Sequence, residues 1–250
     1  MKLTVLSSGS AGNGYVLEGR YSALILECGV PPEALMRRTK CQPSKVAGVL
    51  ISHEHGDHAA YAGRYAALGM RIYASKGTIA GLHGTFPTGS VRAIQPMHPF
   101  RAGDFYVRPF DVRHDAAEPL GFIIEHEECG RVLFITDTNF CPYSFREFAL
   151  DHIMVEANYD EAVLDANVAN GLIEAQQAVR TKRSHLSLRD ARELVDANQT
   201  NALKTVTLIH LSSNNADRRL FVKRMEETAL FARVDYARPG LTIELKRDEL

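Results

Sequence analysis

Ile51-Ser52-His53-Glu54-His55-Gly56-Asp57-His58 is the stretch on which the reading of the chain turns. Five side chains able to hold a metal or a proton fall within six positions. The segment before it, Val46-Ala47-Gly48-Val49-Leu50-Ile51, is apolar and partly β-branched, and predicts a buried strand. After it, Ala59-Ala60-Tyr61-Ala62-Gly63-Arg64-Tyr65 predicts a helix. The cluster therefore lies in a loop at a strand's carboxyl end, where α/β proteins place chemistry. Residues two apart in an extended loop point the same way, so His53 and His55 can reach one cation together. Asp57 and His58 follow a glycine, whose backbone can take angles closed to other residues, and a turn there can aim the second pair at a second cation. Imidazole and carboxylate suit zinc, at roughly 2.0–2.2 Å per bond, and also suit iron or manganese. A merely solvated loop would favour Ser, Asn, Asp and Gly over three imidazoles.

The chain has 250 residues, of which 45% are hydrophobic and 24% charged, enough for one large α/β domain or two small ones with a sizeable core. A formal net charge of -1 announces no strongly basic nucleic-acid surface, although a local patch is compatible with it. Cys28, Cys41, Cys129 and Cys141 are scattered without a C-x-x-C pair, so free thiols in a reducing cytosol are expected rather than a disulfide framework. Met1 to Ser7 predicts a strand rather than a signal peptide, because its apolar run is too short. No stretch approaches the ~20 apolar residues of a membrane span. Arg247-Asp248-Glu249-Leu250 resembles an ER-retention signal, read here as coincidence in a chain expected to be cytoplasmic.

Leu3 to Leu6 predicts a first strand. Ser7-Ser8-Gly9-Ser10-Ala11-Gly12-Asn13-Gly14 is either a phosphate cradle or wall of the site, or a tight connection to the strand Tyr15 to Glu18. The structural reading is favoured, since the P-loop lysine and spacing are missing and no helix follows. Tyr21 to Glu27 predicts a third strand, giving a β-meander. Pro31-Pro32-Glu33 starts a helix with proline in its favoured first turn. Val91 to Val112 reads as two or three strands broken by Pro96, Pro99 and Gly103. Arg113-His114-Asp115, Thr136-Asp137-Thr138, Glu156-Ala157-Asn158 and His210 each follow an apolar run. Asp160 to about Arg180 has helical spacing and ends in Arg180-Thr181-Lys182-Arg183. Ser184-His185-Leu186-Ser187 leads into a helix over 188–198. Interleaved strands and helices imply helices outside paired sheets, with one domain over residues 1–250.

This pattern resembles the metallo-β-lactamase superfamily. His53-Glu54-His55-Gly56-Asp57-His58 matches its H-x-H-x-D-H signature, and His114, Asp137 and His210 follow in the family's order. The resemblance covers nearly the whole chain and implies an α/β fold, a four-layer αββα sandwich, with a two-metal site. It implies that His53, His55 and His114 bind one divalent ion, that Asp57, His58 and His210 bind the other, and that Asp137 bridges them. Zn2+ is the expected metal, with Mn2+ an alternative. Glu27 departs from the family, which usually has Asp at that strand end. Within the superfamily the chain is most similar to the YycJ/WalJ-like group, which resembles the tRNA 3′-processing endonuclease. Asp111-Val112-Arg113-His114-Asp115, Glu156-Ala157-Asn158-Tyr159, Ser184-His185-Leu186-Ser187 and His210-Leu211-Ser212 carry this likeness. It implies that Glu156 and His185 assist proton transfer. Related phage proteins cleave cyclic pyrimidine nucleotides.

The expected chemistry is in-line hydrolysis of a phosphodiester, with two cations about 3.5–4 Å apart clamping the attacking and leaving oxygens. Asp57 can ligate a metal and accept the proton of the attacking water, and His185 can protonate the leaving oxygen. Arg180, Lys182 and Arg183 either hold phosphate or form a solvated helix end favoured by the dipole. Asn13, Asn158, Arg183 and Asn214 are candidate substrate contacts. The substrate is a nucleotide or nucleic acid, either DNA cut by an exonuclease or a cyclic nucleotide, with no membrane partner. The oligomeric state is open, a homodimer being one option. The competing readings are a thioester or lactam hydrolase on the same fold and a non-catalytic module stabilised by metal.

Overall fold

The computed structural model describes residues 1–247, so most of the retention-like tail, Asp248 to Leu250, lies outside the described residues. The chain forms two compact units, one of Met1–Asp111, Ala116–Gly130 and the tail from Ala237, the other of Val112–Asp115 and Arg131–Tyr236.

The first unit opens with the expected antiparallel meander: β1 (Lys2–Ser7), β2 (Gly14–Glu18) and β3 (Ala23–Leu26). Helix α1 (Pro32–Arg38) follows, with Pro32 in its first turn, Glu33 at its positive end and Arg37 and Arg38 at its negative end. Next come β4 (Val46–Leu50), α2 (Gly56–Ala59), α3 (Ala62–Ala67), β5 (Ile72–Ala74), α4 (Lys76–Gly81) and β6 (Val91–Ala93). β3, β4, β5 and β6 pair in parallel. Val16, Ile25, Val49, Ile51 and Ile72 from these strands pack with Leu35 of α1 and Tyr65 of α3 in one core. The 91–112 region resolves into β6 and the antiparallel pair β7 (Phe100–Ala102) and β8 (Phe105–Asp111), turned by Gly103 at φ 60°. β9 (Leu120–His126) adds antiparallel to β8.

In the second unit β10 (Gly130–Ile135) and β11 (His152–Glu156) are parallel and nearly fully buried, as expected of continuous apolar runs. The helical spacing from Asp160 does not run unbroken to Arg180. It divides into α5 (Glu161–Ala169) and α6 (Ala175–Ser184). Gly171 at φ 68° turns the chain between them, and Asp160 caps α5 by accepting from the Ala162 and Val163 N–H groups. α7 (Leu188–Asn198) is capped by Ser187, and β12 (Thr205–Ile209) runs parallel to β11. α8 (Arg218–Glu226) and β13 (Arg233–Tyr236) complete the unit, β13 parallel to β12. β14 (Thr242–Glu244) returns to the first unit and pairs antiparallel with β1. No helix among the described residues is long and apolar enough to cross a membrane.

One close backbone approach fixes the site end of the first unit. A Cβ on Gly29 would lie 1.7 Å from the Asp57 carbonyl oxygen and 2.9 Å from the Asn13 nitrogen. Only glycine leaves room for the Asp57 carbonyl to accept from the Asn13 N–H at 2.7 Å. Gly29→Ala should therefore destabilise the protein by about 2–4 kcal/mol. Urea denaturation checks this: an unchanged midpoint would mean the backbones are not crowded there.

Candidate active site

In the first unit the H-x-H-x-D-H loop leaves β4 and ends in α2. His53 and His58 are buried, and the Asp57 side chain is partly open to solvent. His53 Nδ1 lies 2.9 Å from Ser52 Oγ, so Nε2 is the ring nitrogen not spent on that bond. That Nε2 sits 3.1 Å from His55 Nδ1. Two ligands on one tetrahedral zinc, with bonds of ~2.1 Å, stand roughly 3.4 Å apart, so the pair is spaced to share a cation. His58 stacks at a tilt on His53, with ring centroids 4.2 Å apart. Its Nδ1 is 3.5 Å from Glu27 Oε2 and its Nε2 is 3.4 Å from Asp57 Oδ2. Glu27 is fully buried and also accepts from the Ser52 N–H at 3.2 Å, so its longer side chain still reaches the ligand loop. Burial pushes its carboxyl up, against the lowering effect of His58.

The second unit supplies the other donors from the carboxyl ends of β10, β11 and β12. Asp137 follows β10, Glu156 ends β11 and His210 follows β12. One ligand atom each from Asp137, Glu156, His185 and His210 lies within 4.8 Å of the others. His114 Nδ1 is 2.9 Å from the Ser184 carbonyl, which can only accept. Nδ1 therefore carries the proton, and Nε2, 3.7 Å from Asp137 Oδ2, carries the lone pair. Burial, outweighing the attraction of Asp137, pushes His114 below the ordinary histidine range and keeps it neutral, as a metal ligand must be. The donor set in both units is imidazole and carboxylate, the chemistry that divalent zinc or manganese takes.

Glu156 and His185 form a second device. Glu156 is fully buried, yet each carboxylate oxygen has partners. Oε1 accepts from His185 Nδ1 at 2.6 Å and lies 3.1 Å from His210 Nδ1. Oε2 accepts from the Leu186 and Thr138 N–H groups, each at 3.2 Å. Burial alone pushes the Glu156 carboxyl up, but the His185 charge and the hydrogen bonds from His185 and His210 outweigh it and hold it below the usual range. Burial pushes His185 down, but the Glu156 carboxylate and then Asp137 outweigh it and raise His185 above an ordinary histidine. His185 Nδ1 is thus spent on Glu156, which leaves Nε2 as the ring nitrogen outside that bond. Its side chain is 20% exposed, against none for Glu156.

The four residues singled out as substrate contacts fall in different places. Asn13 is fully buried: its Oδ1 accepts from the Gly9 N–H, and its Nδ2 reaches the Asp57 carbonyl and His58 Nε2, each at 3.2 Å. Asn158 is buried and donates to the His210 carbonyl at 3.0 Å. Both stand as positioning groups in this arrangement. Asn214 is exposed on the loop after β12, and Arg183 is exposed at the end of α6. Of the neighbouring cations, Arg180 pairs with Asp115 at 2.9 Å and Lys182 with Asp165 at 2.6 Å. The sequence reading did not anticipate Ser52, Thr138 or the Ser184 carbonyl, whose roles exist only through partners distant in the chain. Glu54, within the signature, accepts from the Ala117 N–H at 2.8 Å and ties the 116–120 loop to the ligand loop.

A family model described as "Beta-lactamase superfamily domain" matches residues 30–211. Exodeoxyribonuclease WalJ of Streptococcus pneumoniae is 28% identical over 251 aligned positions, covering 94% of this chain and 92% of that protein. Exodeoxyribonuclease YycJ of Bacillus anthracis is 27% identical, covering 86% of this chain and 84% of its own length. Among solved structures, the metallo-β-lactamase fold protein YhfI of Bacillus subtilis matches with a TM-score of 0.75 at 20% identity, over 97% of this chain and 99% of that one. The likeness shows the fold, which is the αββα sandwich expected from the sequence.

Ser52 offers a test of how the ligand loop is held. Ser52→Ala removes the hydroxyl that bonds His53 Nδ1, and metal affinity should fall about 10–100-fold. Competition with a chromogenic chelator measures it, and wild-type affinity in the variant would mean that Ser52 does not orient His53.

Proposed function

The chain belongs to the metallo-β-lactamase superfamily, and on that premise we propose that it hydrolyses phosphodiester bonds in DNA with two divalent cations, zinc by preference. The proposed ligands are His53, His55 and His114 for one ion and Asp57, His58 and His210 for the other, with Asp137 common to both. When bound, the ions supply the Lewis acidity that neutralises phosphate charge and activates water. Asp57, partly open to solvent, accepts the proton of the attacking water. His185 Nε2–H gives a proton to the leaving oxygen, and Glu156 holds the ring and its charge.

The observation that carries this reading is the Glu156–His185 pair, hydrogen-bonded at 2.6 Å. A nucleotide's leaving oxygen is strongly basic and needs a proton as the P–O bond breaks, whereas a thiolate leaves without one. A charged, partly exposed imidazolium suits the first case and has no task in the second. The names of the two exodeoxyribonuclease relatives favour DNA over a cyclic nucleotide.

A panel of single-stranded DNA, duplex DNA, RNA, cyclic mononucleotides and a thioester, each with metal-loaded protein, tests the substrate class. We expect cleavage of DNA and of bis-p-nitrophenyl phosphate, abolished by chelator and by Asp57→Ala with the fold intact by circular dichroism. Turnover of the thioester alone would reject the proposal, as would full activity in Asp57→Ala.

The proton donor makes a separate prediction. His185→Ala should slow DNA cleavage by about 10²–10⁴-fold and leave metal content unchanged. It should slow bis-p-nitrophenyl phosphate much less, because nitrophenolate departs unprotonated. The raised His185 loses its proton above the ordinary histidine range, so DNA cleavage declines as pH climbs through that raised value. Glu156→Gln removes the main raising charge and should shift the declining limb to lower pH. A limb that stays in place, or metal loss in His185→Ala, would remove His185 from the donor role.

A further inference from the structure

Phe140 is 51% exposed, although it lies three residues beyond Asp137. The Arg113 guanidinium sits over its ring, 5.4 Å from the centroid, and Arg113 immediately precedes His114. One buried hydroxyl fixes both: Thr138 Oγ1 accepts from the Arg113 N–H at 3.1 Å and lies 2.9 Å from the Phe140 carbonyl. The Asn139 N–H adds a bond to the Arg113 carbonyl at 3.1 Å. The pair is therefore mounted on the segments that carry Asp137 and His114. Beside the ring lies a cleft of about 260 Å³ whose walls include Asn139, Phe140, Tyr143, Leu186 and Asn198. Leu186 is the residue after His185, so the cleft begins next to the proton donor. Asn139 Oδ1 is buried and has no hydrogen-bond partner among the described residues.

We propose that Phe140 is a stacking platform for a base of the substrate, with Arg113 on the adjoining phosphate. The inference rests on the reading of the chain as a nucleic-acid phosphodiesterase and names the group that this site recognises. An exposed ring face beside an arginine is the composition of surfaces that bind single strands, because every base has a face to stack.

The chain contains no tryptophan, so Phe140→Trp places the sole indole on the platform. Its fluorescence should be quenched saturably by adenosine monophosphate in chelator-treated buffer, and not by ribose 5-phosphate. In metal-loaded protein, Phe140→Ala should raise KM for a single-stranded oligodeoxynucleotide about tenfold, roughly the contribution of one stacked base, with kcat within about twofold. The same oligomer with abasic sugars should show a KM indifferent to the substitution. Equal quenching by ribose 5-phosphate, or an unchanged KM in Phe140→Ala, would overturn the platform. If metal-loaded wild-type protein cuts no oligonucleotide, the phosphodiesterase reading fails by itself. The indole titration then decides the base site: quenching by the nucleotide alone supports it, and its absence rejects it.

Discussion

Three strands end on a residue other than glycine held in the left-handed backbone region, and the candidate chemistry hangs on that constraint. They are Glu27 at φ 64° after β3, Asp137 at φ 38° after β10 and His210 at φ 53° after β12. Each costs roughly 1–2 kcal/mol relative to ordinary backbone, because Cβ crowds a carbonyl. A side chain that stayed in register would point into one face of its sheet. The left-handed turn breaks that alternation and delivers the carboxylate or imidazole beyond the strand's end. The cost is offset by bonds the turned side chains then make: Glu27 to the Ser52 N–H, Asp137 to Thr136 Oγ1, and His210 beside Glu156 and Asn158.

A charge buried as deeply as Glu156 is tolerable only when every lone pair is engaged. Two backbone N–H groups and two imidazoles do this. The same arrangement explains why one buried carboxylate ends below its usual pKa while another, Glu27, ends above. Glu156 faces a cationic ring at 2.6 Å, whereas Glu27 faces His58 at 3.5 Å. Both are fully buried, and Glu156 has the closer and more numerous partners. The two carboxylates therefore differ in what they face: Glu27 lies beside His58 of the H-x-H-x-D-H loop, and Glu156 beside His185 and His210.

What the sequence disclosed tracks how local each signal is. The H-x-H-x-D-H stretch announces itself because strand, loop, ligands and turn are contiguous. The meander and the strand-end positions of Asp137, Glu156 and His210 were equally legible from apolar runs followed by polar residues. The pairing of Glu156 with His185 is legible only through family resemblance, since the two lie 29 positions apart with two helices between them. The break at Asn170-Gly171 was missed because apolar spacing continues across it, although the glycine was a visible signal. Asn13 lies in a polar, glycine-rich turn and is nevertheless fully buried. Its burial follows from Gly29, whose missing side chain draws Asp57 onto the turn, and that closeness cannot be read along the chain.

The segment 184–186 joins tasks that the sequence shows only as neighbours. The Ser184 carbonyl sets the His114 tautomer, His185 carries the proton, and the Leu186 N–H holds Glu156. α6 stops at Ser184 and α7 starts at Leu188, so the intervening residues are extended and could be expected to move. They are held instead by backbone pairing with the continuation of β11. The Asn158 N–H donates to the Leu186 carbonyl at 2.9 Å, the Leu188 N–H to the Tyr159 carbonyl at 2.8 Å, and Tyr159 bridges Ser187. The strand extension that carries Glu156 thus also fixes the loop that carries His185. The backbones that carry Glu156 and His185 are thus held in register by main-chain bonds. A proton held at a set position before substrate arrives costs no reorganisation during the reaction, and this is where such an arrangement gains rate.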